Sequence, residues 1–93
     1  MRRIVYNACY GGFGLSDEAE ELLKERTGKN LDEIERHDPE LVKVVEELGD
    51  RVNDKFSKLA IWEIPDDETY IIREYDGYEY IVTRSEVDKW GWK

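Results

Sequence analysis

The chain reads as an α+β domain, a two-layer arrangement with two helices packed on one side of a mostly antiparallel sheet of about four strands, in the order βααβββ. Three observations predict it. Apolar residues recur at helical spacing over positions 15–23 and 41–52, the period changes to two from Leu59 onward, and Asp76-Gly77 stands between two aromatic and β-branched runs. The length of 93 residues suits one core, so residues 1–93 are read as a single domain.

Residues 2–8 form the first strand, in which Ile4-Val5-Tyr6 leads into a loop with three glycines in four positions, Gly11, Gly12 and Gly14. Ser16 is the N-cap of the first helix, with Leu15 as a hydrophobic staple partner. Asp17 and Glu18 fall in its first turn, where the helix dipole favours anions. Leu15, Ala19, Leu22 and Leu23 form the apolar stripe, and Gly28 supplies the stop. Residues 29–36, with Leu31 and Ile34 as anchors, predict a short helical turn or an irregular link. Asp38-Pro39 pairs a cap with proline at the first helical position, and the second helix buries Leu41, Val44, Val45, Leu48 and Val52. Gly49 leaves its end between residues 48 and 56.

Residues 59–64 are a strand and Pro65-Asp66-Asp67 is a turn. Residues 69–75 and 78–84 are the arms of a hairpin. A two-residue type I′ turn at Asp76-Gly77 sets the opposed pairs Tyr75–Tyr78, Glu74–Glu79, Arg73–Tyr80, Ile72–Ile81 and Ile71–Val82. Ile72 and Ile81 then share one face, while Ile71, Val82, Tyr75, Tyr78 and Tyr80 share the other. The tail, residues 86–93, carries Trp90 and Trp92.

Charge narrows the partners. Against 14 Lys and Arg stand 23 Asp and Glu, a formal net charge of −9. That balance argues against nucleic acid, whose binding rests on clustered cations, and against an anionic membrane surface. It permits a basic protein, a cation, or a small ligand held by local groups. Cys9 is the sole cysteine, so no intrachain disulfide forms, and a reducing cytoplasm is expected. No apolar run approaches the roughly 18 residues of a membrane span, and no signal peptide is read at the N-terminus.

The glycine loop is the leading candidate site. A strand, a glycine loop and a helix N-terminus together can hold phosphate through free backbone N–H groups. The spacing fits neither a Walker loop nor a dinucleotide fingerprint, and the acidic helix start opposes an anion unless Arg2, Arg3 or Arg73 offsets it. A tight structural turn is the competing reading. Cys9 with His37 as base, oriented by Asn7 or Asp38, would make a thiol nucleophile, against the commoner role of a lone cysteine as a small hydrophobe. The opposed Glu74 and Glu79 either face water, meet a cation or a partner's arginine, or do acid–base chemistry. One Cys and one His do not build a zinc site, and Asp66-Asp67-Glu68 lacks the spacing of a calcium loop, so no metal and no cofactor is assigned. The tyrosines either pack across strands or form a stacking platform or interface.

The chain resembles a family of small proteins encoded by bacteriophages and some large DNA viruses. The resemblance rests on Asn7-Ala8-Cys9-Tyr10-Gly11-Gly12-Phe13-Gly14-Leu15-Ser16, on Asp38-Pro39-Glu40-Leu41-Val42, and on Ile64-Pro65-Asp66-Asp67 followed by Ile72-Arg73-Glu74-Tyr75-Asp76-Gly77-Tyr78-Glu79. It implies a viral origin and a host-cell cytoplasmic location, and no reaction. The leading expectation is thus an accessory, counter-defence protein that binds and sequesters a small host molecule, a nucleotide-type immune signal, without catalysis. Its binding residues would be Asn7, Cys9, Tyr10, Gly11, Gly12, Phe13, Gly14 and Ser16, with Arg3 or Arg73 supplying charge and Tyr10, Phe13 or a hairpin tyrosine (Tyr75, Tyr78) stacking on a base. Small binding domains often place a pocket at an oligomer interface, so a homo-oligomer is an open expectation. The alternatives are an acidic module that inhibits a host protein, including by nucleic-acid mimicry, and a small hydrolase or transferase using Cys9 or Glu74 and Glu79.

Overall fold

A computed structural model describes residues 1–85; the tail with Trp90 and Trp92 lies outside the described residues. The elements are β1 (Arg2–Asn7), α1 (Asp17–Thr27), a 3-10 turn (Leu31–Glu33), α2 (Pro39–Leu48), a second 3-10 turn (Gly49–Val52), β2 (Leu59–Ile64), β3 (Tyr70–Tyr75) and β4 (Tyr78–Thr83). The α+β class and the order βααβββ hold.

Local chemistry sets the helix limits. The Ser16 hydroxyl accepts the Ala19 N–H at 3.2 Å and itself donates to the Arg51 carbonyl at 2.7 Å, so the α1 cap also ties α1 to the turn after α2. Gly28 closes α1 in the left-handed conformation, its N–H reaching the Lys24 carbonyl. The Asp38 carboxylate accepts the Glu40 N–H at 2.8 Å, with Pro39 opening α2. At Gly49 the helix gives way to the 3-10 turn, which keeps Val52 on the buried side.

Strand β1 is buried on both faces. Ile4 and Val5 are adjacent, point to opposite sides, and are each 0% exposed. Val5 joins the helical core of Leu15, Ala19, Leu23, Leu41 and Val44, with Ile61 of β2 packed against it. Ile4 joins Ile64 and Ile81, with Tyr6, Tyr70 and Ile72 around them. The helices therefore cover one face of the β1–β2 ribbon, and the inner face of the β3–β4 hairpin covers the other.

The four strands form two antiparallel pairs, β1–β2 and β3–β4, rather than one continuous ladder. The far edge of β1 explains the division. Its Val5 N–H donates to the Arg36 carbonyl (2.9 Å), and its Asn7 N–H donates to the Glu79 carboxylate (2.9 Å). With those edge groups satisfied by a loop and a side chain, β4 lies beside β1 without laddering to it. The hairpin register is the one the turn predicts, from Tyr75↔Tyr78 through Glu74↔Glu79 to Ile71↔Val82. Asp76 and Gly77 have φ of +49° and +87°, the two positive values of a type I′ turn.

Candidate functional site

The glycine loop is built around Asn7, a fully buried side chain at the end of β1. Its amide nitrogen donates to the carbonyls of Cys9 (2.9 Å) and Gly77 (2.8 Å). Its amide oxygen accepts the Lys58 N–H at 2.7 Å. One side chain thus joins the loop, the lead into β2 and the tip of the hairpin. The Cys9 thiol lies 3.4 Å from the Asn7 amide oxygen and 3.3 Å from the Phe56 carbonyl, a polar link at the loop's edge.

Three glycines sit where another segment touches the loop. A Cβ on Gly11 would stand 1.8 Å from the Phe56 carbonyl oxygen, and one on Gly77 would stand 2.6 Å from the Gly11 carbonyl group. A Cβ on Gly14 would meet the Asp54 carboxylate at 2.2 Å. Gly11 and Gly77 are glycine because the 54–57 turn and the hairpin tip come within backbone contact of the loop, whereas Gly14 faces a side chain. Gly12 is different, with no heavy atom within 4 Å of its Cβ position. Asp54 holds its own turn by accepting the Phe56 N–H at 2.8 Å.

Beside the loop lies a buried ion pair. Arg36 grips Glu79 with both arms, Nη1 to Oε1 at 2.7 Å and Nη2 to Oε2 at 3.0 Å, and also donates to the Val5 carbonyl at 3.3 Å. The Glu79 side chain is only 8% exposed, and the Arg36 guanidinium carbon sits 3.4 Å from the centroid of the Phe13 ring. This arrangement answers the Glu74–Glu79 question. The two residues are opposed in the ladder, Glu74 is exposed, and the cation that Glu79 meets is the chain's own Arg36.

The expected site residues therefore fall into groups. Asn7, Cys9, Gly11 and Gly14 are engaged with the 54–58 segment or with Gly77, and Ser16 serves as the α1 cap. Phe13 lies under Arg36. Tyr10 is exposed and its ring packs on Tyr78, centroids 5.2 Å apart. Tyr75, Tyr78 and Arg73 share the outer face of the hairpin. Arg3 stands apart, paired with Glu46 at 3.0 Å and with Glu63 at 3.6 Å. Sequence reasoning missed Arg36. The signal for it was Glu79 itself, a carboxylate at a position that alternation places on the inner face with Ile81, which calls for a buried cation.

His37 is engaged with Tyr70, its Nδ1 2.7 Å from the tyrosine hydroxyl and the rings edge to face. Among the described residues no hydrogen bond joins His37 to Cys9. Burial, followed by the nearby Glu35 charge, pushes the Tyr70 hydroxyl above its ordinary value. The folded chain holds this proton more tightly than the unfolded chain, so the associated stability is present below about pH 10 and is lost as pH rises through the folded value. Thermal unfolding followed from pH 8 to 11 should show a falling midpoint above pH 10 that Tyr70→Phe flattens. An equal fall in the variant would assign the loss to other groups.

Among the described residues no three His, Cys, Asp or Glu side chains are placed to hold a metal ion, and no helix is long and apolar enough to cross a membrane. Comparison with protein-family models, with curated proteins and with solved structures returns no match to this chain.

Proposed function

We propose that this chain acts by binding a host protein that carries excess basic charge, with the outer face of the β3–β4 hairpin as its contact surface. One observation carries the reading: the hairpin register puts exposed Ile71, Tyr75, Tyr78 and Tyr80 on one face, and Tyr10 from the glycine loop packs on Tyr78. Arg73 lies opposite Tyr80 on the same face. Tyrosine and arginine dominate interface hot spots because they bring large contact area and a polar end at modest entropy cost. Clustered exposed aromatic side chains on an isolated domain mark contact sites, and this cluster is tied down from the other side of the hairpin. Asn7 holds the hairpin tip at Gly77, and Arg36 holds Glu79 beneath Tyr78 and Tyr80.

Charge supplies the partner's chemistry. Glu74 and Asp76 stand exposed at the turn end of the hairpin, and the chain's net charge is −9. Such a field speeds encounter with a basic surface and is screened by salt. Tyr75→Ser combined with Tyr80→Ser is expected to weaken the partner complex by at least about 30-fold, the scale of one hot-spot residue. Its unfolding free energy should change by less than about 1 kcal/mol, because both side chains are solvent-exposed. Affinity capture from host lysate, followed by calorimetry with the isolated partner at low and high salt, checks both. Undiminished binding by the double variant would remove the hairpin face from consideration.

A further inference from the structure

Two clefts meet at Arg2 and His37. One, of about 480 Å³, lies between the start of β1 and α2 and has Pro39, Val42 and Lys43 in its wall. The other, of about 450 Å³, runs along β3 past Tyr70 and Ile72. Both are large enough for a small organic ligand. We propose that a phosphorylated small molecule with a flat apolar body, of the nucleoside phosphate class, binds here with its anionic group between Arg2, His37 and Lys43. This site is separate from the hairpin surface and does not depend on it.

The charges at the first cleft are matched unequally. In a chain of net charge −9, the first cleft is lined by three cationic side chains, Arg2, Arg3 and Lys43, against the carboxylates Glu46 and Asp66. Glu46 is taken by Arg3 at 3.0 Å, and Asp66 by the Met1 amino group at 3.2 Å. Arg2 differs from Arg3. Its two terminal nitrogens donate to the backbone carbonyls of Glu68 and Asp66, each at 3.2 Å. Among the described residues no carboxylate lies within ion-pair distance of it. The guanidinium is fixed in place by neutral carbonyl acceptors and has N–H donors left over. Lys43 is only loosely engaged, 3.7 Å from Glu40 in an exposed pair. His37 uses Nδ1 on Tyr70, which fixes its ring at the junction of the two clefts.

The apolar body has two walls to choose from, Pro39 with Val42 or Tyr70 with Ile72. Glu35 and Arg36 both line the second cleft, but Arg36 is held by Glu79, which directs the anionic group to the Arg2–His37–Lys43 side. The glycine loop offers a poorer match for an anion, since the Asp54 carboxylate stands against Gly14 and acidic residues crowd the start of α1.

Amide NMR titrations with AMP, inorganic pyrophosphate and adenosine test the proposal. AMP and pyrophosphate should shift the Arg2, His37 and Lys43 amides saturably, and adenosine should bind at least tenfold more weakly than AMP. Arg2→Gln should weaken AMP at least tenfold and Lys43→Gln about threefold. Lys43 is solvent-exposed, so its variant keeps the fold even if Arg2→Gln loses the carbonyl links. The Tyr75→Ser/Tyr80→Ser variant should titrate like the parent, which separates this site from the partner surface. No shift at those three amides with millimolar AMP, equal binding of adenosine, or shifts centred on other lysines would overturn it.

Discussion

Replacing Glu79 by alanine is expected to destabilise the fold by about 3–5 kcal/mol, the range for removing one partner of a buried ion pair. The loss has three parts. Arg36 keeps a partly buried charge with its carboxylate gone, the Asn7 N–H on the β1 edge loses its acceptor, and the hairpin keeps only the His37–Tyr70 contact of its two ties to the 29–38 segment. A domain of this size has about 5–15 kcal/mol in total, so the variant should sit close to unfolding at 37 °C. Glu79→Gln keeps an oxygen for the Asn7 N–H and should lose less. Arg36→Met combined with Glu79→Gln removes both charges and should again be milder than Glu79→Ala, because no uncompensated charge remains. Urea unfolding midpoints measure all three. A loss below about 1 kcal/mol in Glu79→Ala would contradict a structural role for the pair.

Gly11→Ala is expected to be nearly as damaging, about 3 kcal/mol or more, at the upper end of what overpacking costs. The added methyl would lie 1.8 Å from a backbone oxygen, that of Phe56, which no side-chain rotation relieves. Either the 54–57 turn moves, taking the Cys9 and Asp54 links with it, or the loop does. Gly77→Ala adds a backbone penalty to a similar clash, since its φ is +87° and its Cβ would meet the Gly11 carbonyl at 2.6 Å. Gly28→Ala is the control: φ is +73° with open space around it, so only the left-handed conformation is charged against it, about 1 kcal/mol. Equal losses at Gly11 and Gly28 would contradict the packing explanation. Beyond stability, Gly11 and Gly77 variants that still fold should misplace the Tyr10–Tyr78 contact, which a tyrosine ring NMR signal reports.

The parts of this fold that were legible in the sequence are the ones written locally. Ser16, Gly28 and Asp38-Pro39 mark helix limits through bonds to residues two to four positions away, and Asp76-Gly77 sets the register of a whole hairpin through two backbone conformations. What stayed hidden depends on contacts far apart in the chain. Arg36 lies in the stretch read as a turn or irregular link, and its partner Glu79 is 43 residues away. The same distance problem hides the closeness of Gly11 to Phe56 and of Asn7 to Gly77, 70 residues on. The glycine spacing was visible and its purpose was not, because backbone approach and ligand approach require the same absence of a side chain. The two-sided burial of β1 was partly visible in Ile4-Val5, which carry no polar alternation. The sequence marks Arg2 only as a charge that could offset the acidic helix start. Its pairing with carbonyls instead of carboxylates is a property of the turn at Asp66 and Glu68, which no local pattern announces.

The most direct test of the hairpin surface is site-specific photo-crosslinking in cell lysate, with benzoylphenylalanine placed singly at Tyr80 on the hairpin or at Glu25 on the exposed side of α1. A contact surface on β3–β4 predicts a discrete protein adduct from position 80, weakened by added salt, and none from position 25. An adduct from position 25 with none from position 80 would contradict it and move the partner to the helical side of the domain.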